Sequence, residues 1–151
     1  MILPSLPLNS PALDQDLLAA ATGLLTRVHR PGRHEVAAAL RTRDGAVHLG
    51  VHLEGSARRT SICAEGVAMG AALTAGGLDI DTVLAVHFKP AGTVRVIAPC
   101  GVCRDLMFDY CPDAYVYVFV PEPGSEHPEA PGTVERLQVS DLLPVKTRRR
   151  W

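Results

Sequence analysis

Cys63-Ala64-Glu65 and, further along, Pro99-Cys100-Gly101-Val102-Cys103 set three thiols and one carboxylate in an order that constrains the rest of the chain. Cysteines at i and i+3 on the first turn of a helix point the same way, so the sulfurs of Cys100 and Cys103 can reach one ion. A third sulfur, from Cys63 at another helix start, leaves the fourth tetrahedral position open to water, as a catalytic zinc requires and a structural zinc does not. The unsatisfied N–H groups at helix N-termini also favour the thiolate form. Glu65 follows Cys63 closely and need not bind metal itself. It is placed to exchange protons with the zinc-bound water.

The competing reading of the cysteines is a structural zinc closed by Cys111. On one helix, residues 103 and 111 would lie ~12 Å apart along the axis at ~1.5 Å per residue, too far to share an ion. A zinc ribbon would need a second C-x-x-C, and the chain has only one. Cys111 therefore reads as an ordinary buried thiol. With three of the four cysteines in a metal pattern, paired disulfides are not called for, which favours a reducing cytoplasm.

Composition narrows the partners. A chain of 151 residues has the size of one domain, residues 1–151, with 47% hydrophobic and 21% charged residues. A net charge of −1 gives no reason to expect nucleic acid or an anionic membrane, and 5% aromatic residues leave little for stacking on bases. No apolar run approaches the ~18–20 residues that span a bilayer. The opening Met1 to Leu8 lacks a basic start and is broken by prolines, so it does not read as a signal peptide.

Outward from the cysteines, the pattern is one of alternating helices and strands. Residues 1–12 read as an extended arm. Leu17, Leu18, Ala21, Leu24, Leu25 and Val28 follow the helical period from Asp14 to His29, and Pro31-Gly32 closes that helix. Val36 to Arg41 and Ala46 to His52 read as strands joined at Arg43-Asp44-Gly45, the first with small residues Ala37, Ala38 and Ala39 for a helix to pack over. A helix from Cys63 to Ala75 ends at Gly76-Gly77, and its Gly66 and Gly70 hint at a close neighbour, another subunit among the possibilities. Strands at Thr82–Phe88 and Val94–Ala98 lead to the second cysteine helix, which runs to Tyr110. Ala114–Val120 is a further strand, Pro121–Gly132 a solvated loop, Val134–Val139 a last short strand, and Lys146–Trp151 a basic tail. This order predicts a three-layer α/β/α sandwich around one mixed β-sheet, with both cysteine helices starting at the C-terminal edge region of the sheet.

The C-A-E and P-C-G-x-C-R segments resemble the cytidine deaminase superfamily, in particular its small free-nucleoside branch and the related blasticidin S deaminases. The nucleic-acid-editing branches carry His where this chain has Cys63. Gly50-Val51-His52-Leu53-Glu54 resembles the family's ribose-binding G-C-N-V-E, and Ser140-Asp141-Leu142-Leu143-Pro144 resembles its E-L-L-P. The resemblance covers roughly residues 34 to 144. It implies one Zn²⁺ on Cys63, Cys100 and Cys103, Glu65 as catalytic acid/base, and hydrolytic deamination of cytidine or deoxycytidine in pyrimidine salvage by a homotetramer. It places Glu54 and His52 at the sugar, His34 at the ring, and the N–H groups at the Cys63 helix start, Ala64 among them, at the base.

The chain also departs from that family. His34 stands for a Phe and His52 for an Asn; an imidazole can stack and can donate or accept a hydrogen bond. Gly66 replaces the Arg that offsets the negative charge of three thiolates on zinc, which makes Arg104 the candidate for that task. Arg58 and Arg59 read as solvated charges or as contacts to an acidic group of the ligand. The basic tail reads as solvated or as a subunit contact. The alternative substrates are a blasticidin S-like aminopyrimidine nucleoside or a modified base. A non-catalytic zinc-containing nucleoside-binding module is the alternative from another class, and it would have no use for Glu65.

Overall fold

The strand Ile80–Phe88 carries the run Val83-Leu84-Ala85-Val86, apolar toward both faces, and lies inside the sheet with neighbours on each side. In the computed structural model, which describes residues 2–57, 60–77, 79–125 and 131–149, it is the third of six strands. The elements in order are α1 (Ala12–Val28), β1 (Val36–Thr42), β2 (Val47–Val51), α2 (Ala64–Thr74), β3 (Ile80–Phe88), β4 (Val94–Ile97), α3 (Gly101–Tyr110), β5 (Tyr115–Pro121) and β6 (Gly132–Gln138), followed by a 3₁₀ turn over Val139–Leu142. Arg58, Arg59 and residues 126–130 of the expected loop lie outside the described residues.

The sheet runs β2-β1-β3-β5-β6, and β4 also pairs with β3. β3 changes partner along its length. Its start lies parallel to β5, Thr82 opposite Tyr115, while its end lies antiparallel to β4, from Ala85 opposite Ile97 to Phe88 opposite Val94. The remaining pairs are antiparallel, so the sheet is mixed.

Side chains alternate across the sheet with the two-residue period of a strand. Ala37, Ala39, Leu84 and Val86 are buried with Leu17, Ala21 and Leu25 of α1. Ala38, Leu40, Val83 and Ala85 are buried with Ala68, Met69 and Ala72 of α2 and with Cys103 and Met107 of α3. One helix on one face and two on the other make the three expected layers. The alanines of β1 accordingly serve both faces, not one: Ala37 and Ala39 under α1, Ala38 under α2.

Gly50 sets the approach of α2. A Cβ there would stand 2.4 Å from the Ala68 amide nitrogen and closer still to the Ala64 carbonyl oxygen, so only glycine lets β2 and the start of α2 lie this close. Gly66 and Gly70, by contrast, meet no backbone outside their own helix among the described residues; the nearest atom to a Cβ on Gly66 is an Ile62 methyl at 3.9 Å, and Gly70 has open space.

At the end of β1 away from Val36, a buried polar cluster ties the layers. Asp14, 0% exposed, accepts the Tyr117 hydroxyl at 2.7 Å and Arg136 Nε at 3.2 Å and pairs in charge with Arg41 Nη1 at 2.8 Å, while Arg41 Nη2 reaches Asp81 at 2.6 Å. A carboxylate taken out of water persists only with such partners.

Several bounds differ from the sequence reading. β5 continues to Pro121 and β6 begins at Gly132, because residues 115–121 and 132–138 pair in unbroken antiparallel register. The arm is part of the fold: Leu6 is buried with the α1 core, and the Ile2 carbonyl accepts the Val94 amide. Of the basic tail, expected as solvated or as a subunit contact, residues 147–149 are exposed as expected, while Lys146 Nζ is anchored 2.5 Å from Asp109 of α3.

Candidate metal centre and active site

Cys63 and Cys100 are the N-cap residues of α2 and α3, one position outside the first turns where the sequence reading set them. Both have extended backbone, and their carbonyls accept the first helical bonds, from the Val67 and Arg104 amides. An N-cap side chain turns back over the helix end, toward the free N–H groups. Cys103 lies within the first turn of α3 and is buried; Cys63 is half-buried and Cys100 exposed.

Local structure holds each half. Before α2, Leu53 and Ile62 exchange backbone hydrogen bonds at 3.0 and 2.9 Å and close the loop between them. Gly55 sits against Thr60 with no room for a Cβ. Before α3, β4 delivers Ile97, Ala98 and Pro99 directly to Cys100.

The three sulfurs lie within 4.8 Å of one another, and Sγ of Cys63 is 3.5 Å from Sγ of Cys100. Tetrahedral zinc with ~2.3 Å bonds to sulfur separates its thiolates by about 3.8 Å, within the range of this cluster, so the donor set fits Zn²⁺. Electrostatics agrees. Burial, and then the charges of Glu65, Cys63 and Cys100, push the Cys103 thiol far above its ordinary value. A cluster that resists its own further negative charge is matched by a dication, which reverses the sign of that cost. Cys100 is the thiol that ionises most readily: burial opposes it, but the N–H groups of Cys103 and Val102 and the neighbouring thiols outweigh burial. Cys111 is outside the cluster, buried in the core, its thiol pushed up to about 12 by burial.

Glu65 is 4% exposed and lines a cavity of about 200 Å³ beside Cys63 and Cys100. Burial pushes its carboxyl up, against its backbone N–H, the Cys103 thiol and the nearby His52. His52 and Ala64 also line this cavity, as do Val36, Ile97 and Ala98, which the sequence reading did not single out. Those three are strand-end apolar residues indistinguishable in sequence from core. A larger groove of about 590 Å³, between Leu3-Pro4 and the outer side of α1, is apolar apart from Gln15, two threonines and Arg27 and holds no acid, base or thiol.

The other expected residues surround this cavity at one remove. Glu54 is half-exposed; it accepts the Ser61 hydroxyl at 2.7 Å and faces His52 Nε2 at 3.1 Å. His34 is outside the cavity lining, and its Nδ1 donates to the His52 carbonyl at 2.9 Å. Arg104 is turned toward backbone: its Nε donates to the Pro99 carbonyl at 2.9 Å.

Comparison with known proteins decides the family. The profile described as the cytidine and deoxycytidylate deaminase zinc-binding region matches residues 11–119. The chain belongs to this deaminase family. It is 34% identical to the blasticidin-S deaminase of Bacillus cereus over 140 residues, 90% of this chain and 93% of that protein. It is also 34% identical to the cytidine deaminase of Halalkalibacterium halodurans over 113 residues, 74% of this chain and 76% of that protein. Among solved structures, the cytidine deaminase of Burkholderia pseudomallei matches with a TM-score of 0.69 and 28% identity, covering 88% of this chain and 98% of that one. The mixed sheet with helices on both faces is thus the fold of cytidine deaminases. As a member of this family the chain is a zinc-dependent deaminase, and the Cys63, Cys100 and Cys103 cluster is where its metal fits. Among the described residues no helix is long and apolar enough to cross a membrane.

Proposed function

We propose that this deaminase hydrolyses the exocyclic amine of a cytosine-type nucleoside, cytidine or deoxycytidine, releasing ammonia. The observation that carries this reading is a buried Glu65 that shares one small cavity with Cys63 and Cys100, two of three clustered thiols. Cys63, Cys100 and Cys103 hold Zn²⁺, which when bound acidifies water near neutral pH. Glu65 takes the proton of the water that adds to the amine-bearing carbon and passes it to the ring nitrogen. A second proton, from the adding water's remaining O–H, goes through the same carboxyl to the departing amine, so that one water is consumed and one ammonia leaves. Ala64 contributes its backbone N–H at the start of α2 to the base, and Val36, Ile97 and Ala98 exclude water around the ring. His52 forms the wall toward the sugar, with Glu54 facing its Nε2 and His34 held on its carbonyl from outside the cavity.

A second substrate, blasticidin S, is favoured by a specific observation: the match to the Bacillus cereus enzyme spans more of this chain than the match to the cytidine deaminase. Gly66 after Cys-Ala-Glu fits that reading, since blasticidin-type enzymes also lack an Arg there, while Glu54 at the ribose-type position fits cytidine. A panel of cytidine, deoxycytidine, blasticidin S and 5-methylcytidine, assayed for ammonia release with zinc-loaded protein, ranks them by kcat/KM. No turnover of any would leave the non-catalytic reading standing.

The remaining parts of this reading are one domain over residues 1–151, a cytoplasmic setting supported by four free cysteines, and a homo-oligomer, a tetramer by family likeness. Gly70 and Ala71 of α2 are exposed, with open space at Gly70 for a neighbouring backbone. Sedimentation at micromolar concentration tests the assembly; a monomer removes it.

A further inference from the structure

The segment 139–149 runs back over the helix that carries two of the thiols. Val139 is buried in the same cluster as Cys103, Met107 and Cys111. Its amide donates to the Ala114 carbonyl, and that of Ser140 to the Pro112 carbonyl. Further on, Lys146 Nζ lies 2.5 Å from Asp109 and 3.4 Å from Asp105, one helical turn apart on α3. Arg148 Nε donates to the Asp109 carbonyl at 3.1 Å, and the Arg149 amide to the Asp109 carboxylate at 3.3 Å.

Between these anchors Val145 has φ 62 and is fully exposed. A β-branched residue in the left-handed region persists only where its surroundings over-determine the backbone. The contacts on either side of it supply that constraint.

Arg104 joins this strap to the other end of α3. Its Nε donates to the Pro99 carbonyl at 2.9 Å, and its Nη1 faces the Leu142 carbonyl at 3.5 Å. The Pro99 carbonyl belongs to the peptide unit whose nitrogen is that of Cys100. As an N-cap, Cys100 stands outside the helical ladder on its N-terminal side, so the orientation of that peptide unit decides where its thiol points. The geometry points to Arg104 as a positioning residue through which the strap 139–149 aims the Cys100 thiol and thereby sets the affinity of the centre for its metal. The inference rests on the three-thiol reading above and adds a second tier behind it.

The test uses the full chain loaded with zinc, and a chromophoric chelator that reports the dissociation constant and the release rate. Arg104→Met is expected to weaken zinc binding by about 10–100-fold, the range usual for partners one step behind a ligand. Lys146→Met, which frees the far anchor, is expected to weaken it in the same direction and less. Leu25→Ala, on the opposite face of the sheet, lowers the urea midpoint but leaves zinc release from the folded chain at the parent rate. In the cobalt-loaded protein the sulfur-to-metal absorption bands change for Arg104→Met and not for Leu25→Ala, which a general loss of stability would not produce. Parent-like zinc affinity and cobalt bands in Arg104→Met overturn the proposal. Parent-like behaviour in Lys146→Met alone overturns the strap. Cys100→Ser separates the two tiers, since retention of full zinc affinity there would sink the three-thiol reading itself.

Discussion

Gly50 in β2 and Ala68 in α2 approach so closely that a Cβ on the glycine would stand 2.4 Å from the Ala68 amide nitrogen. The obstacle is helix backbone, which cannot swing aside as a side chain can. Gly50→Ala should therefore push α2 off the sheet and cost at least the ~1–3 kcal/mol of an overpacked core. Because α2 begins at Cys63, zinc content should fall with the urea midpoint. Gly23→Ala is the contrast. It sits inside α1 with nothing within 4 Å of the added methyl, and should gain about 0.8–1 kcal/mol from helix propensity. Urea unfolding of both variants checks the pair; equal midpoints would contradict the reading of Gly50.

Acid should weaken the fold partly through Asp81. Burial pushes its carboxyl up, but the hydrogen bonds of Arg41 and Thr82 and the charges of Arg41 and Arg43 outweigh burial and hold it below the ordinary carboxylate value. A group whose folded pKa is depressed stabilises the native state above its unfolded pKa, about 3.9, and that share is lost as pH falls through the folded value. The urea midpoint should decline below about pH 4. Asp81→Asn should be less stable than the parent at pH 7 and lose less than the parent on acidification. Parallel pH curves for parent and variant would count against this.

The thiols were legible in sequence because metal chemistry demands particular atoms at particular spacings. The helical face of Leu17, Ala21 and Leu25 and the apolar run of β3 were legible because burial imposes a period. What escaped depends on juxtaposition. Asp14 reads as a helix-start acid, yet it is the buried partner of Arg41 and Tyr117, on strands far along the chain. Gly50 reads as part of a sugar-binding segment until α2 is laid on it. Lys146 reads as one more solvated cation of the tail until Asp105 and Asp109 are seen on the helix it crosses. Arg104 was singled out for its charge, while its hydrogen bonds to the Pro99 and Leu142 carbonyls had no sequence signal.

The metal count should follow the sulfur cluster. Cys63, Cys100 and Cys103 lie within 4.8 Å of one another and Cys111 does not belong to the group. Cys111→Ala should bind one zinc per chain like the parent, with a modest loss of stability for the buried sulfur removed. Cys100→Ser should lose the metal at micromolar zinc. Elemental analysis after gel filtration reads both, and loss of zinc in Cys111→Ala would return the centre to a closed, structural type.

The division of labour within the cavity is tested at Glu65. Glu65→Gln keeps the size and hydrogen-bonding reach of a side chain that is only 4% exposed, so the fold should tolerate it. The amide cannot take up a proton from water. Zinc content should stay at the parent level, because the thiols and not this residue form the cluster. Nucleoside binding, followed by calorimetry, should persist. Turnover should drop by more than the ~10²–10⁴ credited to one acid/base group, because one carboxyl serves both proton transfers. Glu54→Gln should behave differently. It removes a carboxylate that faces His52 and Ser61, and should mainly raise KM, with about 1–3 kcal/mol lost if a charge-assisted bond to the sugar side is broken. Steady-state kinetics on both variants distinguishes a proton shuttle from a binding group. A Glu65→Gln enzyme that turned over at a parent-like rate with its zinc in place would remove the carboxylate from the reaction and leave the thiol cluster without its acid.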